Sequence, residues 1–452
     1  MSFIELFEAR EDVGKLLESR ATRNRSLVLT FPLLVKEISR GVKAVALSRK
    51  FLRSASVVLL VGRGSYRDPI EGCACLDSRM RLRVTSRFSP LRLQVAMDRI
   101  GATIEAVTDR DCMFLRAQVP SKKVEECLKL LAELYMFPSF PEPDVDRERG
   151  SEKLEYERIR QDPMTASMTD VWEATFPQNP LGHPVTGYPS TIEKITPKTL
   201  DEFDEKVRED APLVVAVVGP QEENMIIEFA DSCFEKVKVK PRVEKINPRP
   251  RRDFNILRSA LRAKQTTFTV GTVTSGASSS DYPALLLLED YLGSERHYAG
   301  TLFRELREKR GLTYFAGSRL FALRDCGLLT AYTGVKHEKV SEALRLMLQC
   351  MTELRDKNIP EKMMEELKIF HRQVVEVMLE VPFRAATWLA TNMFRGAEVD
   401  LESYISKIQT VTPENIRRVA EGSLTASCMA LSASGNPPDE KTLAKIMRGE
   451  MG

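Results

Sequence analysis

A chain of 452 residues with 43% hydrophobic and 29% charged side chains has the composition of a soluble globular protein, long enough for two or three domains with cores of their own. Its formal net charge of +3 favours neither nucleic acid nor membrane as a partner. Eight cysteines are scattered without a C-x-x-C pair or a secreted-domain framework, which fits free thiols in a reducing compartment better than disulfides.

In chain order, residues 1–25 read as an N-terminal helical extension. Glu5, Glu8, Glu11, Asp12 and Glu18 make it unlike a secretory signal or an acid-poor presequence, and no apolar run reaches the roughly 18 residues of a membrane span. The expectation is a cytoplasmic or already processed chain. A first domain is expected over 26–235. Short strands open it, and Gly62-Arg63-Gly64-Ser65 is only a fragment of a glycine loop. An amphipathic helix follows from Lys122 to Tyr135, then a longer helical region from Pro143 to Trp172. A helix starts at Thr196-Pro197, and an apolar strand runs from Leu213 to Val218. Residues 236–252, rich in lysine, arginine and proline but without interleaved aromatics, read as a basic linker rather than a nucleic-acid patch.

The second domain, 253–445, repeats the first. Helices are expected from Glu338 to Leu354 and over Pro360 to Phe394, a helix start at Thr412-Pro413, and a strand from Met429 to Ala433. The two tryptophans, Trp172 and Trp388, the two Thr-Pro pairs, and Gly219 with Gly435 all recur at one offset, as do Val124, Glu126, Leu128 and Leu130 with Val340, Glu342, Leu344 and Leu346. Asp111-Cys112 recurs as Asp325-Cys326 two residues short of it. Matches this numerous and in one order indicate tandem duplication of a domain of about 200 residues. The fold class is therefore α+β: two homologous domains, each a mostly antiparallel sheet packed with helices, joined by a linker as a clamshell, facing each other across a cavity.

One segment carries chemistry. Leu302 to Arg310 is charged and amphipathic, Gly311 suits a helix C-cap, and Tyr314 opens a strand. Arg307 and Tyr314 could then both reach one extended peptide, a guanidinium and a phenol aimed at backbone carbonyls; the same spacing also fits a solvated helix end followed by a core tyrosine.

The run Leu302-Phe303-Arg304-Glu305-Leu306-Arg307-Glu308-Lys309-Arg310-Gly311-Leu312-Thr313-Tyr314 closely resembles the wording of the inverted-zincin peptidases: pitrilysin, insulysin and the mitochondrial processing peptidase. Gly64-Ser65-Tyr66-Arg67-Asp68, the stretch Gly101 to Thr108, and Gly182-His183-Pro184-Val185-Thr186-Gly187 resemble further signposts of that family, so the likeness spans about Ser26 to Asn436. Active members carry H-x-x-E-H, two zinc-binding histidines flanking a general base, and a downstream acid. The matching window here is Cys75-Leu76-Asp77-Ser78-Arg79. Cys75 and Arg79 stand at the histidine positions and Ser78 at the glutamate, while Asp146 and Glu148 fall near the downstream acid.

The resemblance thus implies a zinc-less member with no catalytic residue or metal of its own. Its Arg307 and Tyr314 would bind the substrate backbone, while a homologous partner chain supplies H-x-x-E-H and zinc. Peptide or unfolded protein is the implied substrate of that heterodimer. It also implies two alternatives: a structural core subunit of the respiratory cytochrome bc1 complex, or a processing-peptidase alpha-like subunit. The latter uses a glycine-rich loop, of which Gly293 to Gly300 keeps only two glycines.

Overall fold

The computed structural model describes residues 32–242, 245–246, 248, 253–294 and 300–451. The extension expected over 1–25, part of the basic linker and residues 295–299 lie outside the described residues. Elements of the first half are β1 (Leu33–Ser39), β2 (Val42–Ser48), β3 (Ser54–Val61), α1 (Cys73–Arg81), α2 (Pro90–Arg99), β4 (Thr103–Thr108), β5 (Met113–Pro120), α3 (Val124–Met136), α4 (Glu142–Gln161), α5 (Pro163–Thr175), α6 (Pro197–Asp210), β6 (Leu213–Gly219) and α7 (Glu223–Phe234). Those of the second are β7 (Asn255–Ala260), β8 (Thr266–Ser275), α8 (Tyr282–Leu292), β9 (Thr313–Ala322), β10 (Cys326–Val335), α9 (Val340–Asp356), α10 (Glu361–Glu380), α11 (Pro382–Arg395), α12 (Leu401–Gln409), α13 (Pro413–Ser423), β11 (Met429–Gly435) and α14 (Glu440–Met451).

Two mixed sheets form, ordered β1-β2-β6-β3-β5-β4 and β7-β11-β8-β10-β9. Each is antiparallel but for one pair, β2 with β6 and β7 with β11. The duplication is visible in this detail. β6 and β11 are both seven-residue, fully buried strands ending in glycine, each set between a parallel and an antiparallel neighbour. The Thr-Pro pairs start α6 and α13 through matching capping boxes, Thr196 with Thr199 and Thr412 with Asn415. The fold expectation of two α+β repeats therefore holds.

Both long helical regions are broken where the sequence reading ran through. Asp162 and Val381 take extended backbone before Pro163 and Pro382, because the proline ring excludes the helical conformation for its predecessor. The break aims the following helices, α5 and α11, away from their own halves. Helix α5 packs on β7, β8 and β11 of the second sheet, and α11 packs on β3 and β6 of the first. Each sheet is thus covered on one side by a helix of the other half.

The approach is close. A Cβ at Gly271 on β8 would meet Val171 Cγ2 at 2.6 Å, so only glycine lets α5 lie there. Arg395 of α11 reaches back to Asp109 and Asp111, with Nη2 at 2.7 and 2.6 Å from their carboxylates. Arg110 lies over the Trp172 ring at 3.7 Å. At this junction the halves meet through interlocked helices, and the pocket lined by Arg110, Asp111, Arg324 and Asp325 measures about 30 Å³. The described part of the linker is held rather than free. The Val239, Lys240 and Arg242 backbone N–H groups donate to Arg40, Glu209 and Asp210 carbonyls, and Ile246 is buried beside the junction. Among the described residues no helix is long and apolar enough to cross a membrane.

Candidate functional site: a filled metal position and an exposed Arg/Tyr pair

Helix α1 carries Cys75, Ser78 and Arg79, the residues the sequence aligns with a metal motif, and is fixed at both ends. Asp68 accepts the backbone N–H groups of Gly72 and Ala74 at 2.9 and 2.8 Å, satisfying donors that a helix start leaves open. Burial raises the Asp68 carboxyl well above its ordinary value, against the pull of those same donors. On the inner face Arg81 bonds Asp77, Asp204 and the Leu134 and Tyr135 carbonyls, a buried network that locks the helix on α3 and α6. Gly182 to Gly187 acts from behind: His183 Nδ1 lies 3.0 Å from Glu71, in the loop that leads into α1.

The outer face of α1 meets α4. Cys75 and Arg79, one helical turn apart, converge on one fully buried carboxylate, Glu152. Cys75 Sγ donates to Glu152 Oε1 at 3.0 Å, and Arg79 Nη1 lies 3.3 Å from Glu152 Oε2. Arg79 Nε also donates to Glu148 at 3.2 Å. The acid that meets both histidine-matching positions is therefore Glu152. The sequence puts Asp146 and Glu148 near that acid. Asp146 pairs instead with Arg149 on the exposed side of α4, and Glu148 reaches only Arg79.

Ser78, at the general-base position, donates to the Cys75 carbonyl at 2.8 Å and shares a 2.8 Å bond with Thr108 of edge strand β4. A serine hydroxyl so held is no base at neutral pH. Burial first, then the neighbouring Glu152 charge, push the Cys75 thiol well above its usual range. Burial also raises Glu152, while Cys75 and Arg79 restrain the rise. Burial works against the Arg79 charge too, but Glu152 and Glu148 more than offset it. A thiol that resists ionisation and a guanidinium in the middle of the site make a donor set that does not fit zinc.

A second cluster also has metal-ligand spacing: one ligand atom each of Asp109, Asp111 and Cys112 lies within 4.8 Å of the others. Arg395 supplies its cation, bonding both carboxylates. The cluster therefore reads as part of the junction between the halves.

Arg307 and Tyr314 lie in the second half, at the edge of its sheet. The helix that begins at Thr301 widens by one residue per turn over Arg304–Glu308, where the Lys309 N–H reaches the Arg304 carbonyl. Glu305 gathers Arg304, Lys309 and Arg310. Arg307 instead stands over the Phe303 ring at 4.7 Å, exposed, and among the described residues no carboxylate pairs with it. Gly311 stops the helix at φ +60, as its position predicts.

Strand β9 then opens with an irregularity. Thr313 opposes Val335 but Ala316 opposes Thr333, so one extra residue sits in β9. The bulge turns two consecutive aromatics, Tyr314 and Phe315, outward, and Tyr314 is 80% exposed. β9 ends the strand order, so Arg307 and Tyr314 flank the start of an edge strand. They belong to the second half, whereas Cys75, Ser78 and Arg79 lie on helix α1 of the first.

These features define a chain of two α+β repeats in which Cys75 and Arg79 bond Glu152 and Arg307 and Tyr314 stand exposed. The comparisons give the family. Residues 44–188 match the insulinase family (peptidase family M16), and residues 194–369 match the peptidase M16 inactive domain. The chain belongs to peptidase family M16. It is 23% identical over 399 residues to an uncharacterized zinc protease of Streptomyces coelicolor, covering 84% of each chain. It is 23% identical over 343 residues to a probable inactive metalloprotease of Bacillus subtilis, covering 71% of this chain and 78% of that one. Among solved structures, a peptidase M16 inactive domain from Pseudomonas fluorescens superposes with a TM-score of 0.78 at 20% identity, over 90% of this chain and 98% of that one. A protease from Helicobacter pylori gives 0.80 at 16% identity, over 90% and 100%.

Proposed function

We propose that this chain is the non-catalytic, zinc-less subunit of a two-chain metallopeptidase, and that it holds the substrate backbone through Arg307 and Tyr314. The observation that carries the reading is a contrast: the metal position is taken up by Arg79 and Glu152, whereas Arg307 and Tyr314 stand exposed at a sheet edge. A homologous partner with H-x-x-E-H is the expected source of zinc, which polarises the scissile carbonyl and activates water when bound. This chain's share is binding and register. A peptide lying extended at a sheet edge offers carbonyl oxygens, which the Arg307 guanidinium and the Tyr314 hydroxyl can take as donors. The scaffold reading, a respiratory core subunit, accounts for the filled metal position but gives no reason for a tyrosine left 80% exposed.

The test is reconstitution of the chain with a relative that carries H-x-x-E-H, assayed on a quenched-fluorescence peptide library. Arg307→Ala and Tyr314→Phe should each lower turnover, by about 10²–10³ where the donor acts in the transition state, with unchanged melting temperatures. Two fully active variants would remove the proposed grip.

A further inference from the structure

The helix pair at the filled metal position has a counterpart in the second half. Helices α4 and α10 are both 20 residues long and both follow a proline, Pro141 and Pro360. Glu152 is the eleventh residue of α4, and His371 is the eleventh of α10. His371 Nδ1 lies 2.7 Å from Asp290 Oδ2 on α8, the helix that follows β8 as α1 follows β3. Each half therefore ties its first helix to the eleventh residue of its 20-residue helix by an acid–base pair. The polarity is reversed: the base is on α1 in the first half and the acid is on α8 in the second.

We propose that Arg79 is a built-in substitute for a metal ion, supplying the positive charge against which Glu152 is buried and so clamping α1 to α4 without a dication. Three features support this. Glu152 is fully buried, and both of its oxygens face the positions that the family gives to histidines, Cys75 and Arg79. Its Oε2 has no hydrogen bond of good geometry, only the Arg79 guanidinium at 3.3 Å, so removing Arg79 leaves that oxygen with no partner. In the second half a side-chain pair, His371 with Asp290, closes the junction between the first helix and the 20-residue helix where the family likeness offers no metal.

It follows that the cradle of the metal site persists and that, of its ligand positions, only Cys75 and Arg79 depart from the family pattern. A Cys75→His/Arg79→His double variant puts two imidazoles one helical turn apart opposite Glu152, the ligand types and spacing of a three-ligand zinc site. The proposal concerns this chain's own fold and stands apart from any partner.

The experiment is metal analysis of wild type and double variant purified from zinc-supplemented medium, with thermal melts before and after chelation. The expected result is one zinc per chain in the double variant, a melting temperature that falls on chelation, and loss of the zinc when Glu152→Gln is added. Wild type should show neither effect. In a second arm Arg79→Ala should melt below wild type, and Arg79→Ala/Glu152→Gln should recover part of the loss. A folded double variant with no more zinc than wild type would overturn the proposal, as would an Arg79→Ala chain that melts like wild type. If the double variant does not fold, the second arm decides alone.

Discussion

Arg395→Ala tests the junction between the halves. Arg395 sits on α11 of the second half, 12% exposed, and bonds Asp111 through Nε at 2.8 Å and Nη2 at 2.6 Å; the Asp111 side chain is 4% exposed. Removing one member of such a buried pair typically costs about 3–5 kcal/mol, because the remaining charge stays buried without a partner. Asp109, 38% exposed, adds no more than a surface pair does, on the order of 0.5 kcal/mol. An unfolding entropy of roughly 2.1 cal/mol/K per residue, over a compact unit spanning Leu33–Gly452, converts this to a melting temperature lower by about 3–6 °C. Calorimetry at pH 7 reads it directly.

The Arg395→Met/Asp111→Asn double variant, which leaves neither charge stranded, should recover part of the loss. The pH dependence has a definite sign. Burial pushes Asp109 up, but Arg395 together with the Arg110 backbone N–H and guanidinium more than offsets this and holds the carboxyl below its ordinary value. Its contribution is present above the unfolded carboxylate pKa of about 3.9 and is lost as pH falls through the lower folded value. The gap between wild type and Arg395→Ala should therefore narrow below about pH 4. An Arg395→Ala protein melting within about 1 °C of wild type at pH 7 would refute the reasoning.

Other outcomes follow from the site. Gly311→Ala has open space for its methyl group but must hold φ +60, so it should cost about 1–2 kcal/mol locally and weaken peptide binding by moving Arg307 relative to Tyr314; unchanged binding by calorimetry would separate the turn from the grip. Cys75 should resist alkylation at pH 8 in the folded chain and react after denaturation, since burial and Glu152 disfavour its thiolate; rapid labelling of the native protein, mapped by mass spectrometry, would contradict that. Gly271→Val should destabilise by several degrees because α5 lies against that strand, and a wild-type melt would mean that α5 can move aside.

The duplication was legible because strand and cap positions recur: β6 with β11, and the two Thr-Pro starts, keep their offset in the structure. The tryptophans do not correspond in the same way. Trp172 is the tenth residue of α5 and Trp388 the seventh of α11, since each helix starts afresh at its own proline. That α5 and α11 cross to the opposite sheet was not legible, because an amphipathic pattern names an apolar face without naming what covers it.

Glu152 was missed by counting along the chain. The available signal was helical: Glu148 and Glu152 are one turn apart, as Cys75 and Arg79 are, and two such rows can face each other. The outward turn of Tyr314 depends on a bulge, which a strand pattern does not announce.

The most direct test of the central claim is capture of the tagged chain from native extract, followed by identification of its partner and a peptidase assay with and without chelator. The account predicts one co-purifying relative of similar size that carries H-x-x-E-H, and activity that chelation abolishes. Recovery of the chain alone with stoichiometric zinc, or with cytochromes and no peptidase activity, would contradict it.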